Sequence, residues 1–362
     1  MELNGNTPDY DGQHTKPVNN HTNSRIRLSI IIKALNEQAK IEAAIRSALA
    51  SARGIDAEVI LADSLSTDNT VELAARYPIK IVQLISPRDR SCGIGPQLGF
   101  QFSRGEYIYL MDGDMELNPD FVRLALSQLD HQPDVAGIGG VVEEQNAANL
   151  IFELRKKSSL AHMRVGEVDR LNMGGLYRRA ALEDVGYFSN RNLHSFEELE
   201  LALRLRAKGW RLLRLPIVAI RHYGHTLPML RLLGLRFRSG YVQGPGELLR
   251  SALGKPYLMK AIKEFRVFLG VIAWWGLLII SAALTPYSLL PLAATASLAI
   301  AAAAGMTWRK HNLKLGLYSI IDWNIFALGT LNGFIRRQIQ PDGTIPSKVL
   351  QEAPADVQCR IS

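Results

Sequence analysis

Residues 104–114 read Arg104-Gly105-Glu106-Tyr107-Ile108-Tyr109-Leu110-Met111-Asp112-Gly113-Asp114, an apolar, strand-like run ending in two aspartates around a glycine. A buried strand with this ending delivers two carboxylates to the carboxyl edge of a sheet, where α/β proteins bind ligands. Hard divalent cations take oxygen ligands and bridge one or two carboxylates to substrate phosphates. Asp-Gly-Asp alone also fits a solvated turn. Its place after a strand, and the pattern on either side, favour a binding edge.

Working outward, Leu28 to Ile32 is a second continuous apolar run, followed by Asn36-Glu37 and a helical pattern through Ile41, Ala44, Ile45 and Leu49. Glu58 to Ala62 reads as a strand, Val71 to Ala75 as a helix, and Ile79 to Leu84 as another strand. Strands spaced by helical segments predict an α/β fold with a mostly parallel sheet covered by helices on both faces. Ser66 or Thr67 is the expected helix cap. Asp63 directly follows a strand, where an acid can accept hydrogen bonds from a nucleotide's base or ribose. No Gly-x-Gly-x-x-Gly follows the first strand and no Walker A sequence is present; these absences argue against a dinucleotide enzyme and a P-loop NTPase.

Three blocks carry a resemblance: Leu28 to Glu37 (LSIIIKALNE), Val59 to Thr70 (VILADSLSTDNT) and Arg104 to Asp114. In order and spacing, over roughly 90 residues, they resemble the family 2 inverting glycosyltransferases of GT-A fold. A fourth block supports this: Gly174-Gly175-Leu176-Tyr177-Arg178-Arg179, Val185 to Phe188, and Phe196-Glu197-Glu198 with Arg204 and Gly209-Trp210. The resemblance implies a Rossmann-like GT-A domain over 25–225, using Mn²⁺ or Mg²⁺ and a nucleotide-sugar donor.

It also implies roles. Ala34, Asn36, Glu37, Asp63, Arg90, Asp112 and Gly113 would contact the nucleotide sugar. Asp112 and Asp114 would hold metal and diphosphate, with Asp114 the direct ligand. Glu198 would take the acceptor's proton, although Glu197 is open as the base because the family usually has Glu-Asp here. The other reading of both glutamates is an exposed helix start, where acids complement the dipole. Gly174 and Gly175 fall in the acceptor loop. His222 stands where many GT-A enzymes place a third metal ligand, or it is a structural histidine. Lys33 and Leu35 replace the family's usual proline and aromatic. No Gln-x-x-Arg-Trp motif follows the acidic pair, which favours single addition over processive synthesis.

The ends of the chain differ from this domain. Residues 1–24 are nearly free of apolar residues, a composition of disordered tails, and show no secretory signal pattern. Asn20-His21-Thr22 matches a glycosylation sequon only formally. Two cysteines, Cys92 and Cys359, exclude a disulfide framework. Of the net +8 charge, fourteen Lys or Arg against Glu247 and Glu264 fall between Arg204 and Arg266. Such a basic block next to apolar sequence suits anionic lipid, and no nucleic-acid motif accompanies it.

Within that block, 226–265 is expected as a basic amphipathic interfacial segment, whose Arg236 and Arg238 suit an acceptor's diphosphate. Residues 266–337 are expected as transmembrane and interfacial helices, and 338–362 as a C-terminal tail. Residues 267–284 carry no charge over eighteen positions, near the lower limit of a bilayer span. A second uncharged run reaches Met306, and positive charge at both outer ends puts both in the cytoplasm. Residues 315–335 include Asp322, Asn324 and Asn332 and are expected to lie in the interface or re-enter. A buried hairpin of a soluble core is the competing reading of 267–306.

The layout resembles bacterial exopolysaccharide transferases of the succinoglycan type. It implies an integral enzyme of the inner membrane with a cytoplasmic catalytic domain, a lipid-linked acceptor, and other polysaccharide-assembly proteins as partners. A polyprenyl-phosphate glycosyl synthase and an inactive nucleotide-sugar-binding scaffold are the alternatives.

Overall fold

The computed structural model describes residues 26–145, 164–224 and 227–354. The expected tail 1–24, its sequon and Cys359 lie outside them.

Apolar runs make the first strands. β1 (Leu28–Ala34), β2 (Ala57–Asp63), β3 (Lys80–Leu84) and β4 (Tyr107–Asp112) are buried along nearly their whole lengths, as strands covered on both faces are. Helices α1 (Ile41–Ala52), α2 (Thr70–Ala74) and α3 (Ile94–Phe102) connect them. They pair in parallel in the order β3-β2-β1-β4. Register then builds the site: Ala34 lies opposite Asp63, and Lys33 opposite Asp112.

Next come β5 (Met115–Leu117), α4 (Pro119–His131), β6 (Val135–Glu144), β7 (Gly166–Glu167), β8 (Gly175–Arg178), α5 (Arg179–Asp184), α6 (Glu197–Ala207) and β9 (Arg211–His222). Here the sheet is mixed. β8 runs antiparallel to β4 and β6, whereas β9 is parallel to β6 and antiparallel to β5 and β7. The α/β class therefore stands, but the parallel arrangement is confined to the first four strands and the β6–β9 pair. The strand–helix alternation that makes parallel crossovers ends at α4. One core packs α1, α2 and α4 on one face, and a second packs α3, α5 and α6 on the other.

Arg204 belongs to this scaffold. Its Nε donates to both Glu200 oxygens at 2.9 Å, its other nitrogens reach the Val185, Tyr187 and Phe188 carbonyls, and it stacks 3.7 Å over the Tyr187 ring. Glu200 is fully buried. Breaking a buried pair from one side leaves an uncompensated charge. Arg204→Leu is therefore expected to lose about 3–5 kcal/mol of stability, read as a fall in denaturation midpoint; an unchanged midpoint would contradict this role.

The C-terminal part comprises α7 (Met229–Arg238), α8 (Gly244–Ser251), α9 (Leu258–Glu264), α10 (Arg266–Ala283), α11 (Leu290–Lys310), α12 (Leu313–Ile335) and β10 (Ser347–Gln351). By length and composition α10 and α11 can cross a membrane, and only 6% of each apolar window is buried. Neither is buried as a core hairpin would be. α12 is one unbroken helix, and its contacts gather at the base of that hairpin. Gly316 meets Thr307 near the end of α11, Phe326 stacks at 5.0 Å on Phe268 near the start of α10, and Gly329 and Gly333 lie against the Val242 and Gln243 carbonyls. A Cβ at either of the last two glycines would come within 2.2 Å of a carbonyl oxygen. The polar residues of α12 find partners: Asn324 accepts from Trp275 Nε1 at 3.0 Å, and Asp322 bonds Tyr318.

The segment after α12 is not the expected tail over its described part. β10 joins the sheet antiparallel to β3, Ile345 is buried, and the Arg191 guanidinium holds the Gly343 and Thr344 carbonyls.

Candidate active site

The ends of β1 and β4 face the start of α6. Lys33, opposite Asp112 by register, puts its Nζ 3.1 Å from Asp112 Oδ1 and 3.1 Å from Glu197 Oε1. Burial opposes the lysine's charge, but Asp112, Glu197 and Glu198 outweigh it and hold Lys33 well above the usual lysine range. The residue that the sequence marked only as a departure is thus the counter-ion of the acidic cluster.

Glu198 sits differently. Met173 and Gly174 adopt positive φ, +61° and +92°. Their amides donate to Glu198 Oε1 at 3.0 Å and, more weakly, 3.5 Å. Phe196, just before α6, is also left-handed at φ +65°. Strained backbone of this kind persists where the surroundings over-determine it; here the Phe196 ring packs on Phe265 with centroids 5.0 Å apart. Pro96, Leu110, Tyr177, Phe188 and Leu201 wall the glutamate pair. Burial pushes the Glu198 carboxyl well above the usual carboxylate range, Glu197 adds to it, and Lys33 pulls it back. Glu197 is paired with Lys33, whereas Glu198 is held by the two backbone amides.

A second cluster lies beside it. Asp114 Oδ2 is 3.4 Å from His222 Nε2, and Glu144 Oε2 is 2.7 Å from His222 Nδ1. Strand register explains this, since β9 places His222 opposite both Glu144 and Met115. Burial works against the histidine's charge, but its bonds to Asp114 and Glu144 prevail and raise it to about 9. Lys40 Nζ stands 3.9 Å from Asp114 Oδ2. Burial and the Asp114 charge lift the Glu37 carboxyl to about 7, and its stem lies over Gly113, where a Cβ would come within 3.0 Å.

Could these residues hold a divalent cation? Neighbouring octahedral ligands about 2.1 Å from a metal stand about 3 Å apart, so the Asp114–His222 pair fits. Asp112 is turned to Lys33 instead. Among the described residues no group of three or more His, Cys, Asp and Glu forms a complete cage. Two protein ligands match a cation that completes its shell with phosphate oxygens and water.

On the nucleotide side, Asp63 is fully buried. It accepts from Ser66 N at 3.0 Å, Ser66 Oγ at 2.5 Å and Gln83 Nε2 at 2.8 Å. Asn36, at φ +59°, receives Thr67 N at 2.7 Å and donates its own amide to Ser66 Oγ. Arg90 holds the Ser64 and Leu65 carbonyls. These residues therefore build one loop at the ends of β1 and β2, next to Ala34. Neither Ser66 nor Thr67 caps α2, which begins only at Thr70, where Asp68 Oδ1 accepts from the Thr70 amide at 3.0 Å. Gly174 and Gly175 lie at the start of β8 beside Glu198. Arg236 and Arg238 stay on α7, with Arg236 stacked 5.0 Å over Tyr241; no contact among the described residues brings them to Glu198. The sequence marked Lys33 only as a departure and did not mark Glu144, which stands in no motif; their roles depend on strand register.

Residues 29–186 match the family described as Glycosyl transferase family 2; Glu197 and Glu198 lie just past the match. The succinoglycan biosynthesis protein ExoO of Rhizobium meliloti is 34% identical over 28% of this chain and 30% of its own length. The dolichol-phosphate mannosyltransferase of Pyrococcus furiosus is 24% identical over 40% of this chain and 41% of its own. The chain thus covers well under two thirds of these relatives. A solved mannosyltransferase of Pyrobaculum calidifontis, in complex with GDP-Man and Mn²⁺, shares the fold with TM-score 0.54 and 19% identity, covering 85% of this chain and 88% of that one.

Proposed function

We propose, because residues 29–186 match glycosyl transferase family 2, that this chain is an inverting transferase acting at a membrane surface. It moves a sugar from a nucleotide-diphosphate donor to a lipid-linked saccharide. The acceptor oxygen attacks the anomeric carbon, its proton passes to Glu198, and the bond from that carbon to the diphosphate breaks. The carrying observation is Glu198: a half-buried carboxylate of raised proton affinity, held by the Met173 and Gly174 amides beside the Lys33–Asp112 pair. A general base works best when its pKa lies near the operating pH.

Asp114 and His222 would hold Mn²⁺ or Mg²⁺, which neutralises the departing diphosphate. Glu144 then keeps the His222 ring oriented, as carboxylates behind metal-binding histidines do. Glu144→Gln is expected to weaken Mn²⁺ binding about 10–100-fold, measured by the electron paramagnetic resonance of free Mn²⁺. Unchanged binding would remove Glu144 from that role.

Two exposed apolar helices with Lys260, Lys263 and Arg266 before them and Arg309, Lys310 and Lys314 after support a membrane anchor with the catalytic domain on the positive, cytoplasmic side. The missing Gln-x-x-Arg-Trp supports single addition, and the likeness to a succinoglycan protein supports a place in polysaccharide assembly. The partial match to a dolichol-phosphate mannosyltransferase favours one second reading, attack by a lipid phosphate. A phosphate nucleophile needs no base.

The test is nucleoside diphosphate release from a panel of nucleotide sugars by the detergent-purified chain, with and without Mn²⁺ and with membrane lipid extracts. Metal-dependent release from one donor, lost in Glu198→Gln, is expected. Release that survives Glu198→Gln would move the phosphate reading ahead. Binding of nucleotide without release from any donor would contradict both.

A further inference from the structure

Next to the active site lies a cleft of about 170 Å³ that contains none of the catalytic carboxylates. Five guanidinium groups line it: Arg88, Arg90, Arg191, Arg336 and Arg337. They arrive from three separate segments, the β3–α3 loop, the loop before α6 and the chain leaving α12.

Three of the five are fixed from behind. Arg90 holds the Ser64 and Leu65 carbonyls, Arg191 holds those of Gly343 and Thr344, and Arg336 reaches His194 and Gln243 at 3.0–3.1 Å. The Arg191 residue is 8% exposed, and its buried Nε has no hydrogen-bond partner among the described residues. Arg88 and Arg337 are exposed and make no side-chain hydrogen bond or ion pair among the described residues. Of the two acids in the lining, Glu247 is fully buried and already bonded to His194 and Arg336; only Asp89 remains against the surplus positive charge.

We propose that this cleft binds the phosphate or diphosphate group of a membrane-borne acceptor. The inference rests on the transferase reading above and names the chemistry that presents the acceptor to it. Arginine forks pair with phosphate oxygens through two parallel bonds. The volume is below the ~300–1,000 Å³ of pockets that enclose whole small molecules, which suits a headgroup rather than a nucleotide sugar. Location supplies the membrane. Arg336 and Arg337 directly follow α12, the helix lying across the base of the apolar hairpin. The reaction centre is adjacent: Ile94 of the lining is followed by Gly95, whose backbone packs against Lys33, where an added Cβ would come within 2.9 Å of the Lys33 Cβ.

The experiment uses the full chain in detergent, with EDTA present so that no metal recruits phosphate to Asp114. Calorimetric titrations with inorganic pyrophosphate and with a short-chain prenyl diphosphate compare wild type, the double variant Arg88→Ala/Arg337→Ala, and Arg231→Ala on α7 as a charge control. Both ligands are expected to bind the double variant at least about tenfold more weakly and the control unchanged. Flotation on phosphatidylglycerol vesicles is expected to be equal for all three. Equal titrations in wild type and double variant overturn the proposal, as does an equal loss in the control. Loss of flotation with titrations intact overturns it as well, assigning the charge to bulk lipid. Mn²⁺-dependent nucleotide binding, measured in parallel, separates the two ideas: its absence with pyrophosphate binding intact would sink the transferase reading and leave an anion site.

Discussion

Glu198→Gln is expected to lower turnover by about 10²–10⁴-fold, the range that positioned base catalysis supplies, while donor binding stays within a few-fold of wild type. The substitution is nearly isosteric. The amide oxygen of glutamine can accept from Met173 N and Gly174 N as Glu198 Oε1 does, so the loop and the start of α6 should persist. What disappears is a site for the proton. The pH profile provides the second readout. Burial and Glu197 raise the Glu198 proton affinity, and only the deprotonated form can act as base. Wild-type turnover should therefore rise with pH through that raised value, and the variant's residual turnover should lack this limb. A profile of the same shape in both proteins would assign the limb to another group.

Asp114→Ala is expected to remove metal-dependent turnover by at least about 10³-fold. Charge neutralisation by a bound cation is worth several kcal/mol, and each 1.36 kcal/mol is tenfold. The loss should not come from unfolding. Asp114 stands in a crowd of acids, where it lifts the Glu37 carboxyl to about 7 with burial as the larger cause. Removing it relieves that repulsion, although His222 loses one partner and keeps Glu144. The thermal midpoint of metal-free Asp114→Ala should therefore match wild type or nearly so. In the metal-loaded wild type, Mn²⁺ should raise the midpoint, and in the variant it should not. A variant that retains Mn²⁺ stabilisation would place the cation elsewhere.

How much of this was legible in the sequence follows from the range of each signal. The apolar runs at Leu28–Ile32 and Tyr107–Met111 specify buried strands locally, and the carboxylates at their ends follow. Asp112, Asp114, Glu198 and His222 all reach the site region, yet Asp112 pairs with Lys33 rather than with the Asp114–His222 couple. The importance of Lys33 depends on parallel register between β1 and β4, and that of Glu144 on register between β6 and β9. Neither pairing leaves a local pattern. β10 is harder still, because its five residues become a strand only against the β3 edge, far away in the chain. The arginine pair after α12 stands in no motif. Because α12 lies across the hairpin base, the pair meets Arg88 and Arg191 in the cleft. Of the α7 arginines expected at the acceptor, Arg236 stacks on Tyr241 and Arg238 is exposed.

The most direct measurement of the central claim is transfer of labelled sugar from the nucleotide donor into solvent-extractable lipid, in membranes carrying matched amounts of wild type, Glu198→Gln or Asp114→Ala. The account predicts Mn²⁺-dependent labelling by wild type, with both variants reduced to background. Labelling by Glu198→Gln at the wild-type rate would contradict it.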